Sequence, residues 1–179
     1  MAVSTFYTIG HSTLALDDFL ALLSNSAIEC VVDVRRLPGS SRYPQFNLEP
    51  LRQSLHAVGI GYCHLEGLAG RRGRQPVDPS VNSGWQNQSF HNYADYSLQP
   101  EFAAALGRLL ELGQRQRVAI LCAEAVWWRC HRRIISDYLL AAGQVVLHIM
   151  GNHSEEARLT PFAHLGSKGC LTYPATNSN

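Results

Sequence analysis

The chain has 179 residues, enough for one well-buried core and short for two ordinary domains. Its 46% hydrophobic and 16% charged residues exclude a disordered chain, and a formal net charge of +1 excludes a global field for nucleic acid or an anionic membrane. Any preference for anions must therefore be local.

The first strand is expected in Thr5 to Gly10, followed by a turn carrying His11, Ser12 and Thr13. A helix follows, in which Leu16, Phe19, Leu20 and Leu23 recur at helical spacing and Thr13 is the expected N-cap. Ile28 to Arg35 reads as an interior parallel strand, apolar on both faces until Asp33 and Arg35. After a Pro- and Gly-containing loop, Leu48, Leu51, Leu55 and Val58 mark a second helix with Asn47 as N-cap, and Ile60 to Leu65 a third strand. From Glu66 to about Ser97 periodicity fails, and a long loop is expected around Arg71, Arg72 and Arg74. Phe102, Leu106, Leu109 and Leu110 restore a helix that runs to Gly113. Arg117 to Cys122 is then a strand, Val126 to Ala142 a helix and Gln144 to Met150 a strand. A short helix is expected near Ser154 to Arg158.

Strand and helix alternate throughout, so the expected fold is α/β: a mostly parallel sheet of about five strands with helices on both faces, a Rossmann-like three-layer sandwich. Residues 1–150 form one α/β domain in this reading, and 151–179 an extension packed on it. The five cysteines (Cys30, Cys63, Cys122, Cys130, Cys170) are scattered without a CxxC pair, which argues against a disulfide framework and for a reducing, cytoplasmic setting. The first residues lack the pattern of a secretion leader, and no run of about eighteen apolar residues occurs. We therefore expect a soluble protein that is not exported and has no membrane partner.

In such sheets ligands bind beyond the carboxyl ends of the strands, where His11, Asp33, Arg35, His64, Cys122, Glu124 and His148 converge. The richest stretch is Leu121 to Arg133, LCAEAVWWRCHRR. Cys122 stands where a strand meets a helix, a position that favours a thiolate nucleophile. Six residues separate it from Arg129, against five in the cysteine–arginine loops of phosphatases, and Glu124 would repel a phosphate. Cys130 and His131 fall on or beside the buried stripe of the following helix, where a packed thiol and a satisfied histidine compete with a chemical role. Arg129, Arg132 and Arg133 sit early in that helix against its dipole, so a negative group is expected nearby: Glu124, Asp33, Asp137 or a bound anion. A metal site of Cys122, Cys130, His131 and His11, backed by Asp33, is a further possibility in ligand chemistry, though not in standard spacing. The arginines Arg35, Arg36, Arg42, Arg71, Arg72 and Arg74 alternate with aromatic residues, as suits phosphate and base contacts, or a solvated basic loop.

Thr8–Ser12 (TIGHS), Val31–Asn47 (VVDVRRLPGSSRYPQFN), Leu68–Arg72 (LAGRR), Ser89–Tyr96 (SFHNYADY), Leu121–Arg133 and Val146–Ile149 (VLHI) together resemble the domain of unknown function 488 family. The resemblance implies that His11, Ser12, Asp33, Arg35, Arg36, Arg42, Pro44, Phe46, Arg71, Arg72, Tyr93, Cys122, Glu124, Cys130, His131 and Arg132 matter, without implying a reaction or a cofactor. Ala69 departs from the family, which usually has a glycine there; a need for positive φ would alter the local turn. The expectation is an enzyme for an anionic, nucleotide- or nucleic-acid-related substrate. Arg35, Arg42, Arg71 and Arg132 hold the anion, Glu124 or His131 moves a proton, and Cys122 is nucleophile or electrostatic partner. A binding module without turnover and a metal-dependent hydrolase are the alternatives.

Overall fold

The computed structural model describes residues 1–177, so 178 and 179, the end of the expected C-terminal extension, lie outside the described residues. Five strands pair in parallel in the order β3-β2-β4-β1-β5: β1 (Thr5–Gly10), β2 (Cys30–Asp33), β3 (Gly61–His64), β4 (Val118–Cys122) and β5 (Val145–Met150). A sixth, β6 (His153–Glu156), runs antiparallel on the edge beside β5.

Alternation within the central strands feeds two cores. Phe6, Val32 and Ile120 pack among Tyr93, Phe102, Leu109 and Ile135 of α3 (Gln88–Tyr96), α4 (Pro100–Arg115) and α5 (Arg132–Ala141). Tyr7, Val31 and Leu121 pack among Phe19, Leu23, Leu51 and Leu55 of α1 (Leu16–Asn25) and α2 (Leu48–Ala57). Because both faces are covered, the strands are apolar on both, and the result is the three-layer α/β sandwich read from the alternation.

Four local expectations are corrected. The stretch expected as a loop from Glu66 contains α3, started by Asn87, whose side-chain oxygen accepts from the Ser89 and Phe90 backbone N–H groups. The helix expected from Val126 is broken: a 3-10 turn (Trp127–Arg129) precedes an extended Cys130, and α5 starts only at Arg132. Arg129 and Arg133 are thus not neighbours on one helix. The short helix expected near Ser154 is instead β6, whose polar residues complete the edge of β5. Thr13 does not cap α1; Ala15 holds that position, without a side-chain bond.

Chain direction places the site. The connections leaving β1 and β2 cross to the face of α1 and α2, whereas that leaving β4 crosses to the face of α5. The carboxyl end of β4 therefore stands between two strands whose chains depart the other way, the position at which such sheets open a crevice. Beyond the sheet, Asp137 of α5 accepts from the Thr160 N–H and the Tyr173 hydroxyl, each at 2.9 Å, which ties residues after β6 to the helical layer.

Candidate functional site

A cleft of about 690 Å³ opens at this carboxyl edge. Its floor holds Cys122, from the end of β4, with Cys130 and His131, from the segment joining β4 to α5. The donor atoms of these three residues all lie within 4.8 Å of one another. The joining segment lies tight against β1 because Gly10 has no side chain: a methyl group there would overlap the Glu124 carbonyl. That carbonyl in turn accepts from Arg132 Nη2 at 2.6 Å.

Arg132 is almost wholly buried behind Cys130. Its backbone N–H and Nε point at Cys130 Sγ at 3.5 and 3.4 Å, and Nη1 donates to Thr8 Oγ1 at 3.3 Å. For Arg132 the expected negative group is thus a sulfur and a backbone carbonyl, not the Glu124 carboxylate, whereas Arg133 bonds Thr160 Oγ1 and lies near Asp137. Burial by itself raises the Cys130 thiol, but the hydrogen bond from Cys122 and the charge and N–H groups of Arg132 outweigh it and bring it down to about 6. Cys122 gives that hydrogen bond and is buried as well, which pushes it up to about 12. Of the two thiols, Cys130 is the one whose ionised form the surroundings favour, because the guanidinium lies against that sulfur and not against Cys122, where the sequence led us to expect the thiolate.

His131 Nε2 donates to the Val34 carbonyl at 3.0 Å, and Nδ1 lies 3.6 Å from Cys130 Sγ. The bond to Val34 puts a proton on Nε2 and turns Nδ1 toward the thiols. Gly70 closes over the ring; a methyl group added there would come within 2.7 Å of Nδ1. Next to it Ala69 is buried and extended (φ −63°), so the alanine that departs from the family creates no left-handed strain.

One wall is a rigid ion pair. Asp33, fully buried, receives Arg35 Nε at 2.9 Å, Nη2 at 2.7 Å and the Tyr62 hydroxyl at 2.6 Å. Arg35 Nη1 faces His11 Nε2 at 3.3 Å, while His11 Nδ1 bonds the Ser12 carbonyl at 2.9 Å. Burial, with the Arg35 charge beside it, lowers the His11 pKa against the pull of Ser12, so the imidazole is neutral and both nitrogens are engaged. His11 thus orients Arg35 and stands apart from the Cys–Cys–His floor.

Of the other residues singled out in the sequence, Ser12, Arg36, Arg71, Tyr93 and Glu124 line the cleft, Glu124 on its exposed rim. Ser12 and Arg71 hold positive φ (46° and 55°), the strained backbone often found at binding surfaces. Arg42 is exposed and outside the cleft, and Arg72 turns away to lie 4.0 Å over the Tyr96 ring. Sequence reasoning did not assign Arg129 to the wall, nor Gly10, Gly70 and the Val34 carbonyl to the support of the floor. Their signal, the glycines within TIGHS and LAGRR, was visible without the partner that makes each one necessary.

The fold and this cleft define an α/β protein whose chemistry-bearing sequence motifs gather at the carboxyl ends of parallel strands. The family model described as Domain of unknown function DUF488 matches residues 15–139, most of the chain, and the protein belongs to that family. No curated protein and no solved structure matches it. Among the described residues, no helix is long and apolar enough to cross a membrane.

Proposed function

We propose that the protein is an enzyme acting on an anionic, phosphate-bearing substrate, nucleotide- or nucleic-acid-related, held in the cleft over the Cys122–Cys130–His131 floor. The observation that carries this reading is the charge of the walls. Arg35, Arg36, Arg71 and Arg129 face the cleft, against the single carboxylate of Glu124. Arg35 is balanced by Asp33, and among the described residues Arg36, Arg71 and Arg129 make no ion pair. Uncompensated guanidinium groups on a concave surface bind phosphate oxygens by paired, charge-assisted hydrogen bonds. Tyr43 and Phe90 line the same space and supply aromatic surface of the kind on which bases stack. Arg36 and Arg71 are the anion-holding groups in this reading. Arg35 and Arg132 act as fixed positive charge behind them, and the floor supplies the reacting groups.

Calorimetry with pyrophosphate and ATP tests the reading. Both bind, more weakly as salt rises, and the double variant Arg36→Ala, Arg71→Ala binds at least ~10-fold more weakly, the loss expected for one or more charged hydrogen bonds. Equal binding by the variant, or none by the wild type, would refute it. Incubation with nucleotides and short oligonucleotides, read by chromatography, tests turnover; binding without any product would make the protein a binding module and not an enzyme.

A further inference from the structure

We propose that Cys122, Cys130 and His131 bind one zinc ion, with three protein ligands and a fourth position open to the cleft. This goes beyond the anion reading and stands apart from it. Zinc holds thiolate sulfur at ~2.3 Å and imidazole nitrogen at ~2.0–2.1 Å in tetrahedral geometry, which puts the ligands of a bound ion ~3.6 Å (S to N) and ~3.8 Å (S to S) apart. Cys130 Sγ and His131 Nδ1 are already 3.6 Å apart, and no pair in the cluster exceeds 4.8 Å. Rotation about side-chain bonds of Cys122 covers the remaining difference.

The surroundings are those of a metal ligand set. His131 is held at its far nitrogen by the Val34 carbonyl, as ligating histidines commonly are, which leaves Nδ1 as the nitrogen turned to the two sulfurs. Cys130 Sγ receives two N–H groups from Arg132, the usual outer partners of a coordinated thiolate. Two thiolates neutralise a divalent ion, so the buried guanidinium does not oppose it. Gly70 lets the chain pack on the His131 ring, and a side chain there would push the ring out of its present position. His11, the fourth ligand considered from the sequence, is committed to Arg35 and Ser12. Three protein ligands beside a cleft is the arrangement of an ion that takes water or a substrate oxygen, whereas structural zinc is closed by four. Two sulfurs and a nitrogen favour zinc over magnesium or calcium, which take oxygen.

The test uses full-length protein purified without a metal-affinity tag, kept reduced and stripped of metal, and titrated with Co²⁺. One equivalent per chain produces sulfur-to-cobalt charge-transfer absorption and the intense visible bands of a tetrahedral ion, and Zn²⁺ displaces both. Cys130→Ser and His131→Gln each lose or shift these bands, and Cys170→Ser, an exposed thiol remote from the cluster, keeps them. Gly70→Ala, which crowds Nδ1 without removing a ligand, weakens Zn²⁺ binding ~10–100-fold, as for other outer-sphere changes. Circular dichroism checks each protein for folding. A folded, reduced wild type without charge-transfer absorption overturns the proposal, and so do bands unchanged in both ligand variants. Neither result bears on the binding of pyrophosphate or ATP.

Discussion

His148 makes the stability of this site sensitive to acid. Its side chain is buried at the middle of β5, stacked on Trp127 with centroids 4.4 Å apart, and Nδ1 lies 2.7 Å from Thr8 Oγ1, the oxygen that also receives Arg132. Nε2 has no hydrogen-bond partner among the described residues. Burial above all, reinforced by Arg132 and opposed by Glu155, lowers its pKa from 6.5 to about 4. The unfolded chain therefore takes up this proton near 6.5 and the folded chain only near 4. Between those values the unfolded state binds more protons and stability falls as pH falls. At 1.36 kcal/mol per unit the full loss is about 3 kcal/mol, of which about 2 kcal/mol is gone by pH 5. His11, lowered in the same direction, adds to the loss, whereas Asp137, raised by burial, works against it. Both remain in His148→Gln, so comparison of the two proteins isolates His148. Urea unfolding followed by circular dichroism at pH 7 and pH 5 measures it. The variant is less stable at pH 7, through lost stacking, but its drop between the two pH values is smaller than that of the wild type by about 2 kcal/mol. An equal drop in both proteins would refute the argument that His148 stays neutral in the fold.

The ion pair that holds Arg35 leads to a second expectation. Asp33→Asn leaves a guanidinium that is 8% exposed without its carboxylate, and should cost roughly 3–5 kcal/mol in urea unfolding at pH 7. A loss below about 1 kcal/mol would show the pair to be as weak as an exposed one. Tyr173→Phe removes one of the two hydrogen bonds to the buried Asp137 carboxylate and should cost roughly 1–3 kcal/mol. Unfolding should remain a single transition, since Tyr173 packs in the same core as α5. A separate early transition, read by tryptophan fluorescence, would instead show that the residues after β6 fold by themselves.

The α/β class and the five parallel strands were legible in the sequence because the information is local: the period of apolar residues reports which faces of a segment are covered, whatever covers them. Thus Cys30, Val31 and Val32, apolar in succession, identified an interior strand before its neighbours were known. The family was legible for a similar reason, since motifs such as LAGRR and LCAEA are runs of adjacent residues. What sequence periodicity did not show was structure made by a distant partner. The HSEE of β6 has no strand pattern and is extended because the edge of β5 offers it hydrogen bonds. Helix α3 was hidden because much of its length is polar, although Asn87 was a readable start signal. The stretch Val126 to Arg133 has helical spacing and no proline or glycine, yet it breaks at Cys130. There Arg132 reaches back to Cys130, Thr8 and the Glu124 carbonyl, contacts that a continuous helix would not allow. For the same reason the ends of β2 and β4 and the residues of the β4–α5 segment were all recognisable as candidates, but not their division of labour. Sequence alone named the cysteines, histidines and arginines of the carboxyl edge. Only the tertiary structure decided that His11 serves Arg35, that His131 joins the two cysteines, and that Arg132 lies against Cys130, because charge and hydrogen bonding act over a few ångströms of space and not along the chain.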